Sequence, residues 1–194
     1  MVRLLFILKI SSLPGLYKFG PCCGVENIHR RNLACIARLV CNIVKLKLRG
    51  FAGIAGNYDS TVATDYDHCG CRSESARQEE LAHLSYAYTR RAVTEETKRA
   101  LGALPFSLDV RPLGGHASGP RLVIVHGTPV LNTVYWTEDR SDDFCRKMAS
   151  IVALKPGDVI AFGHTHKPWT RTVDGVHFVN TGSVGRPKDG DWRA

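Results

Sequence analysis

A chain of 194 residues with 44% hydrophobic and 23% charged side chains can bury a substantial core, which excludes a disordered, fibrous or disulfide-stapled miniprotein. Its net charge of +8 is unevenly placed: residues 1–58 hold nine of the 26 Lys and Arg but only Glu26 of the 18 Asp and Glu, and the remainder sums to zero. Seven cysteines, an odd number at irregular positions (22, 23, 35, 41, 69, 71 and 145), predict reduced thiols and a cytoplasmic setting.

The first ten residues place Arg3 before a short apolar run, but Lys9 interrupts it and no small-residue cleavage site follows, so it reads as a buried strand rather than a signal peptide. No stretch is long enough to cross a membrane. Over residues 31–48, Leu33, Ile36, Val40, Ile43 and Val44 recur at helical spacing, with Arg31, Arg38 and Lys45 on another face. That basic stripe suits phosphates or anionic lipid, yet no aromatic residues interleave it, which favours a solvated helix face. His68-Cys69-Gly70-Cys71 is as dense as a zinc knuckle, but no second Cys or His pair follows at a finger-like interval.

Ser75 with Gln78 predicts a capped helix whose Leu81, Leu84 and Tyr88 share a face. Thr94 before Glu95 and Glu96 opens another, and Ser141 before Asp142 and Asp143 a third. Strands are predicted over residues 51–55, 122–125 and 159–162, and as a hairpin of 170–173 and 176–179 around Asp174-Gly175. Strands alternating with helices indicate an α/β fold.

Polar residues gather where the apolar runs stop. Residues 51–55 lead into Gly56-Asn57-Tyr58-Asp59, 122–125 into His126-Gly127-Thr128-Pro129, 159–162 into Gly163-His164-Thr165-His166, and 176–179 into Asn180-Thr181-Gly182-Ser183. In an open α/β sheet the carboxyl ends of strands are where loops converge and ligands bind. Neutral imidazoles and an Asn carbonyl suit a divalent metal (Mn, Fe, Ni or Zn), so Asn57, His126, His164 and His166 are candidate ligands.

GNYD, VHGTP, GHTH and NTGSVG, in this order, resemble the later motifs of the calcineurin-like metallophosphoesterases, and within them the small bacterial phosphodiesterases, over residues from about 50 to 194. The resemblance implies one domain built as an αββα sandwich of two mixed sheets flanked by helices. It implies Asn57, His126 and His164 on one metal, His166 on a second, and a hydroxide between the ions that attacks the phosphorus of a phosphoester small molecule or nucleotide. Tyr58 stands where relatives often carry a leaving-group His, Asp59 would be an orienting catalytic residue, and Arg186 and Lys188 would meet substrate phosphate.

The resemblance stops short of the family's first two motifs, an Asp-x-His and a Gly-Asp, because the first aspartate of the chain is Asp59. Lys9 and Ser11 stand where one alignment would put the Asp and His, and Asn27-Ile28-His29 keeps a His without the acid. Two divalent ions about 4 Å apart repel strongly without a bridging carboxylate. The expectation is therefore an impaired phosphoesterase holding at most one weakly bound metal, in a fold incomplete at both ends. A shifted reading frame upstream of about Gly50 would explain the basic residues 1–50. The alternative is a non-catalytic protein-interaction scaffold, as in the retromer subunit of this superfamily, with residues 1–50 as its surface. Nucleic acid is not an expected partner, because the charge comes without a recognition motif.

Overall fold

A computed structural model describes residues 3–4, 51–111, 119–183 and 187–190 of the chain. Among them are seven strands, β1 (Arg3–Leu4), β2 (Phe51–Ala52), β3 (Ser107–Val110), β4 (Leu122–Val125), β5 (Val159–Phe162), β6 (Trp169–Val173) and β7 (Val176–Asn180). Four helices accompany them, α1 (Asn57–Ala63), α2 (Ala76–Ala92), α3 (Glu95–Gly102) and α4 (Asp142–Ile151). The chain divides into two compact units, the first including Asn57–Leu104 and the second Ile54–Gly56 and Pro105–Ala194.

The second unit is a five-stranded mixed sheet in the order β3-β4-β5-β7-β6. Its centre is parallel, β4 pairing with β5 and β5 with β7, while β3 and β6 close the edges antiparallel. The apolar runs LVIV and VIAF suit the centre of such a sheet, where strands are covered on both faces. Asp174 and Gly175 both take positive φ, the turn that matches the twist of the β6–β7 hairpin. The core gathers Val123, Val125, Ile160, Phe162 and Phe178 around Trp136, whose ring stacks on Phe162 at 4.2 Å and 8°. The α4 helix begins at Ser141, whose hydroxyl accepts from Phe144 N, and buries Cys145, Met148 and Ala149.

In the first unit, β1 pairs parallel with β2 and the three helices enclose a smaller core of Val62, Cys69, Tyr86, Val93 and Leu101. Ser75 and Thr94 cap α2 and α3 as their sequences predict. The buried face of α2 is not the predicted one. Tyr86 and Thr89 are buried, whereas Leu84 and Tyr88 are 52% and 37% exposed. The Tyr86 hydroxyl, donating to Tyr66 O at 2.8 Å, lets that ring enter the core with its polar end satisfied.

The α/β class holds, with one full mixed sheet among the described residues where the resemblance implies two. The strand predicted over 51–55 ends at Ala52, and Ala55 N instead donates to Pro105 O. The helix predicted over 31–48 lies outside the described residues, and no described helix is long and apolar enough to cross a membrane.

Candidate functional site

Because β4, β5 and β7 run parallel, their carboxyl ends fall on one edge of the sheet, and each continues into a polar loop. The ladder extends past the strands themselves: Gly163 N donates to His126 O at 2.9 Å and Thr181 N to Phe162 O at 2.8 Å. Backbone pairing therefore brings the loop that follows β4 against the loop that follows β5. His126 Nε2 and His164 Nδ1 lie 3.0 Å apart, their rings edge to face.

Several local devices hold this pair. His164 and His166 both have left-handed backbone, at φ 64° and 63°, a costly conformation for residues with a Cβ. Asn180, 2% exposed, offsets that cost by donating to Thr165 Oγ1 at 2.9 Å and to Gly163 O at 3.3 Å, while its Oδ1 accepts from Gly182 N. Gly127 must be glycine, since a Cβ would sit 2.9–3.0 Å from the carbonyl oxygens of Leu131, Asn132 and Val134. The loop that closes over Gly127 carries Tyr135, whose ring packs on His164 at 4.2 Å.

Both imidazoles are kept neutral. Burial, then the neighbouring His164 and His166, push His126 down to about 3. Burial is also the main cause for His164, down to about 4, with His166 and Lys188 adding to it and the Thr133 backbone opposing it. His164 Nε2 is buried without a well-formed hydrogen bond to the described residues. Neutral rings are the ligand form of histidine.

A pair of nitrogens 3.0 Å apart suits neighbouring ligands about 2.1 Å from one ion. The pair offers two nitrogens to one cation, and among the described residues no three His, Cys, Asp or Glu side chains gather closely enough to hold an ion. His166 follows in the same loop, its carbonyl accepting from Lys188 N at 2.9 Å. Lys188 is exposed, and Arg186 lies outside the described residues.

The other predicted residues belong to the first unit. Asn57 opens α1 and is buried, its Nδ2 donating to Cys69 O at 2.8 Å and to Cys71 Sγ at 3.4 Å. Tyr58 meets Tyr86 edge to face at 5.4 Å, and Asp59 is buried in the same first turn. Sequence reasoning assigned no part to Asn180, Thr165 or Tyr135. Asn180 and Thr165 lie inside quoted motifs, so their positions were visible; Tyr135, nine residues beyond His126, carries no such signal.

Comparison with known proteins adds three findings. A family model described as "Calcineurin-like phosphoesterase superfamily domain" matches residues 34–193. No curated protein matches significantly. Among solved structures, the crystal structure of hypothetical protein PH1004 from Pyrococcus horikoshii OT3 is similar at a TM-score of 0.52 and 17% identity, a likeness of fold. The match covers 76% of this chain and 57% of that one, so this chain spans little more than half of the length of its structural relative.

Proposed function

Since the chain belongs to the calcineurin-like phosphoesterase superfamily, we propose that it is a phosphoester hydrolase, by descent a phosphodiesterase, working through one divalent ion at the His126–His164 pair. The observation that carries this reading is the convergence of His126 Nε2 and His164 Nδ1 at 3.0 Å from two adjacent parallel strands. When bound there, a divalent ion (Mn, Fe, Ni or Zn) supplies the charge that polarises a phosphoryl oxygen.

The chain's own residues prepare for that charge. Neutral His126 and His164 present lone pairs without first shedding protons, which favours binding near neutral pH. Asn180 and Thr165 keep the left-handed loop in place, and Tyr135 restricts how His164 turns. Lys188, whose cation already acts on His164, is the proposed contact for an anionic phosphoester such as a nucleotide. One ion would share less of the developing charge than two, so slow turnover is the expected outcome. The absence of any aspartate before Asp59 favours a second reading, a protein-interaction scaffold on the same fold in a cytoplasmic setting.

Equilibrium titration of metal-stripped protein with Mn²⁺ or Zn²⁺, paired with turnover of bis(p-nitrophenyl) phosphate, tests the proposal. The expected result is one ion per chain with slow turnover, both lost in His164→Ala. Two ions per chain with brisk turnover would overturn the one-metal reading, and neither binding nor turnover would leave the scaffold.

A further inference from the structure

The expectation of reduced thiols fails at one place: Cys69 and Cys71 are joined by a disulfide across Gly70. Gly70 makes the closure accessible, taking φ 65°, a value that side-chain-bearing residues rarely adopt. The two Cα atoms stand 5.3 Å apart, within the usual range for the bond. A loop closed over a single residue removes little entropy from the unfolded chain, so the bond is a poor staple, and its chemistry is what calls for explanation.

The two cysteines are unequally buried. Cys69 is 4% exposed and packs in the core of the first unit with Val62, Tyr86 and Leu101, whereas Cys71 packs against the edge of that core and is partly exposed. Both contact the same side chain. Asn57 Nδ2 donates to the Cys69 carbonyl and to Cys71 Sγ, so both acceptors lie on the nitrogen side of the amide and determine which way it faces. The remaining described cysteine, Cys145, is a buried free thiol in the other unit and has no such arrangement.

We propose that Cys69–Cys71 is an exchange site for small thiols of the glutathione class, and that its redox state sets how firmly the Asn57 side chain is held. An incoming thiolate attacks Sγ of Cys71, the less buried cysteine. The S–S bond breaks and its electron pair leaves on Cys69 Sγ, which takes a proton from water. A second thiolate attacks the small-molecule sulfur of the mixed disulfide, and Cys71 departs as thiolate and is protonated. Two small thiols are oxidised to one disulfide, and the protein gains two electrons and two protons. Once open, Cys71 turns about its own side-chain bonds and loosens its contact with the Asn57 amide, while the Cys69 carbonyl keeps its own. Disulfides in reducing compartments are commonly of this exchanging kind.

The test uses the full chain without metal, so its outcome is independent of the hydrolase reading. Protein equilibrated across glutathione buffers of graded ratio is quenched, alkylated and digested, and the peptide holding residues 69–71 is weighed. A single reversible two-electron transition in the absence of denaturant is expected. In oxidised buffer Cys69→Ser takes up one glutathione on Cys71, while Cys71→Ser leaves buried Cys69 unmodified. The proposal is overturned by a bond that never forms, by one that opens only on unfolding, or by equal glutathionylation of both variants. The side-chain amide resonances of Asn57, identified with Asn57→Asp, are expected to shift on reduction; resonances that stay put would overturn the link to Asn57.

Discussion

The two units hold their chemistry-bearing side chains by different physical means. In the second, His126 and His164 are delivered by backbone: two parallel strands in register, a ladder continuing to Gly163, and a loop locked by Asn180. In the first, Asn57 and Asp59 sit at the start of a seven-residue helix, and Asn57 is tied to a cross-linked turn through its own amide. A sheet places residues through many shared bonds, so no single side chain controls the placement; a short helix beside a turn draws on side-chain contacts such as those of the Asn57 amide. The first arrangement suits a site that must stay rigid, and the second suits one that responds to its surroundings.

The largest expected effect tests whether the sheet core carries the histidine site. Trp136 is fully buried and packs on Phe162, Phe144, Trp169 and Phe178. Trp136→Ala removes the centre of that cluster and is expected to cost about 3–5 kcal/mol, read by urea denaturation. A loss below about 1 kcal/mol would mean that the histidine loops stand on something other than this core.

Acid separates the units by window. His126 and His164, held at about 3 and about 4 in the fold, take up protons near 6.5 once unfolded. The unfolded chain therefore binds more protons than the native one between those values, and stability falls as the pH drops from about 6.5 toward 4. The two rings titrate as a coupled pair, and the loss for the metal-free protein is on the order of 3 kcal/mol. In the first unit, Lys98 lowers Asp65, so what that carboxylate contributes is lost only at more acid pH, below its ordinary 3.8. Denaturation midpoints in a chelating buffer at graded pH would show the earlier loss, and His126→Asn with His164→Asn would remove it. A flat profile between pH 6.5 and 4 would contradict the burial that makes this pair neutral.

The same difference explains what could be read from the sequence. The boundaries of β4 and β5, the Asp174-Gly175 turn and the caps at Ser75, Thr94 and Ser141 were legible, since each rests on local chemistry or on a run of β-branched residues. His126 and His164 followed from strand ends on one edge. The packed face of α2 did not, because Tyr86 enters the core only when its hydroxyl finds Tyr66 O, a tertiary partner that spacing cannot show. Strand β3 escaped for a similar reason: Ser107-Leu108-Asp109-Val110 is a half-exposed edge, and pairing with β4 holds it in place. The Cys69–Cys71 bond went unread because an odd, irregular set of thiols argues for reduction on average and says nothing of two that lie one residue apart.

Within the second unit, Asn180→Ala tests the lock on the loop. It strands the Gly182 amide and takes one bond each from the Gly163 carbonyl, which keeps Thr165 N, and the Thr165 hydroxyl, which keeps Lys167, and is expected to cost about 1–3 kcal/mol. Affinity for Mn²⁺ should fall with it, since two left-handed histidines lose the side chain that offsets their strain. Unchanged affinity alongside lost stability would show that the ladder alone positions the pair.

The smallest effect compares one chemical change in both units. Ser75 Oγ accepts from Gln78 N at 3.2 Å, and Ser141 Oγ accepts from Phe144 N at 3.3 Å, so replacing either with alanine removes the same kind of cap, worth about 1 kcal/mol. The helices differ in where they are packed. In α4, Cys145, Met148 and Ala149 are buried within ten residues, so its first turn cannot open without disturbing the core, and Ser141→Ala is expected to lower global stability by nearly the full amount. In α2 the buried residues are Tyr86 and Thr89, more than two turns beyond Ser75, and Gln78 Oε1 accepts from Glu74 N as a second, independent tie. Ser75→Ala should therefore appear as faster hydrogen exchange at residues 76–80, with a global loss of only a few tenths of a kcal/mol. Equal global losses would place the start of α2 within the cooperative core, and the contrast between a backbone-held and a locally tethered unit would have to be redrawn.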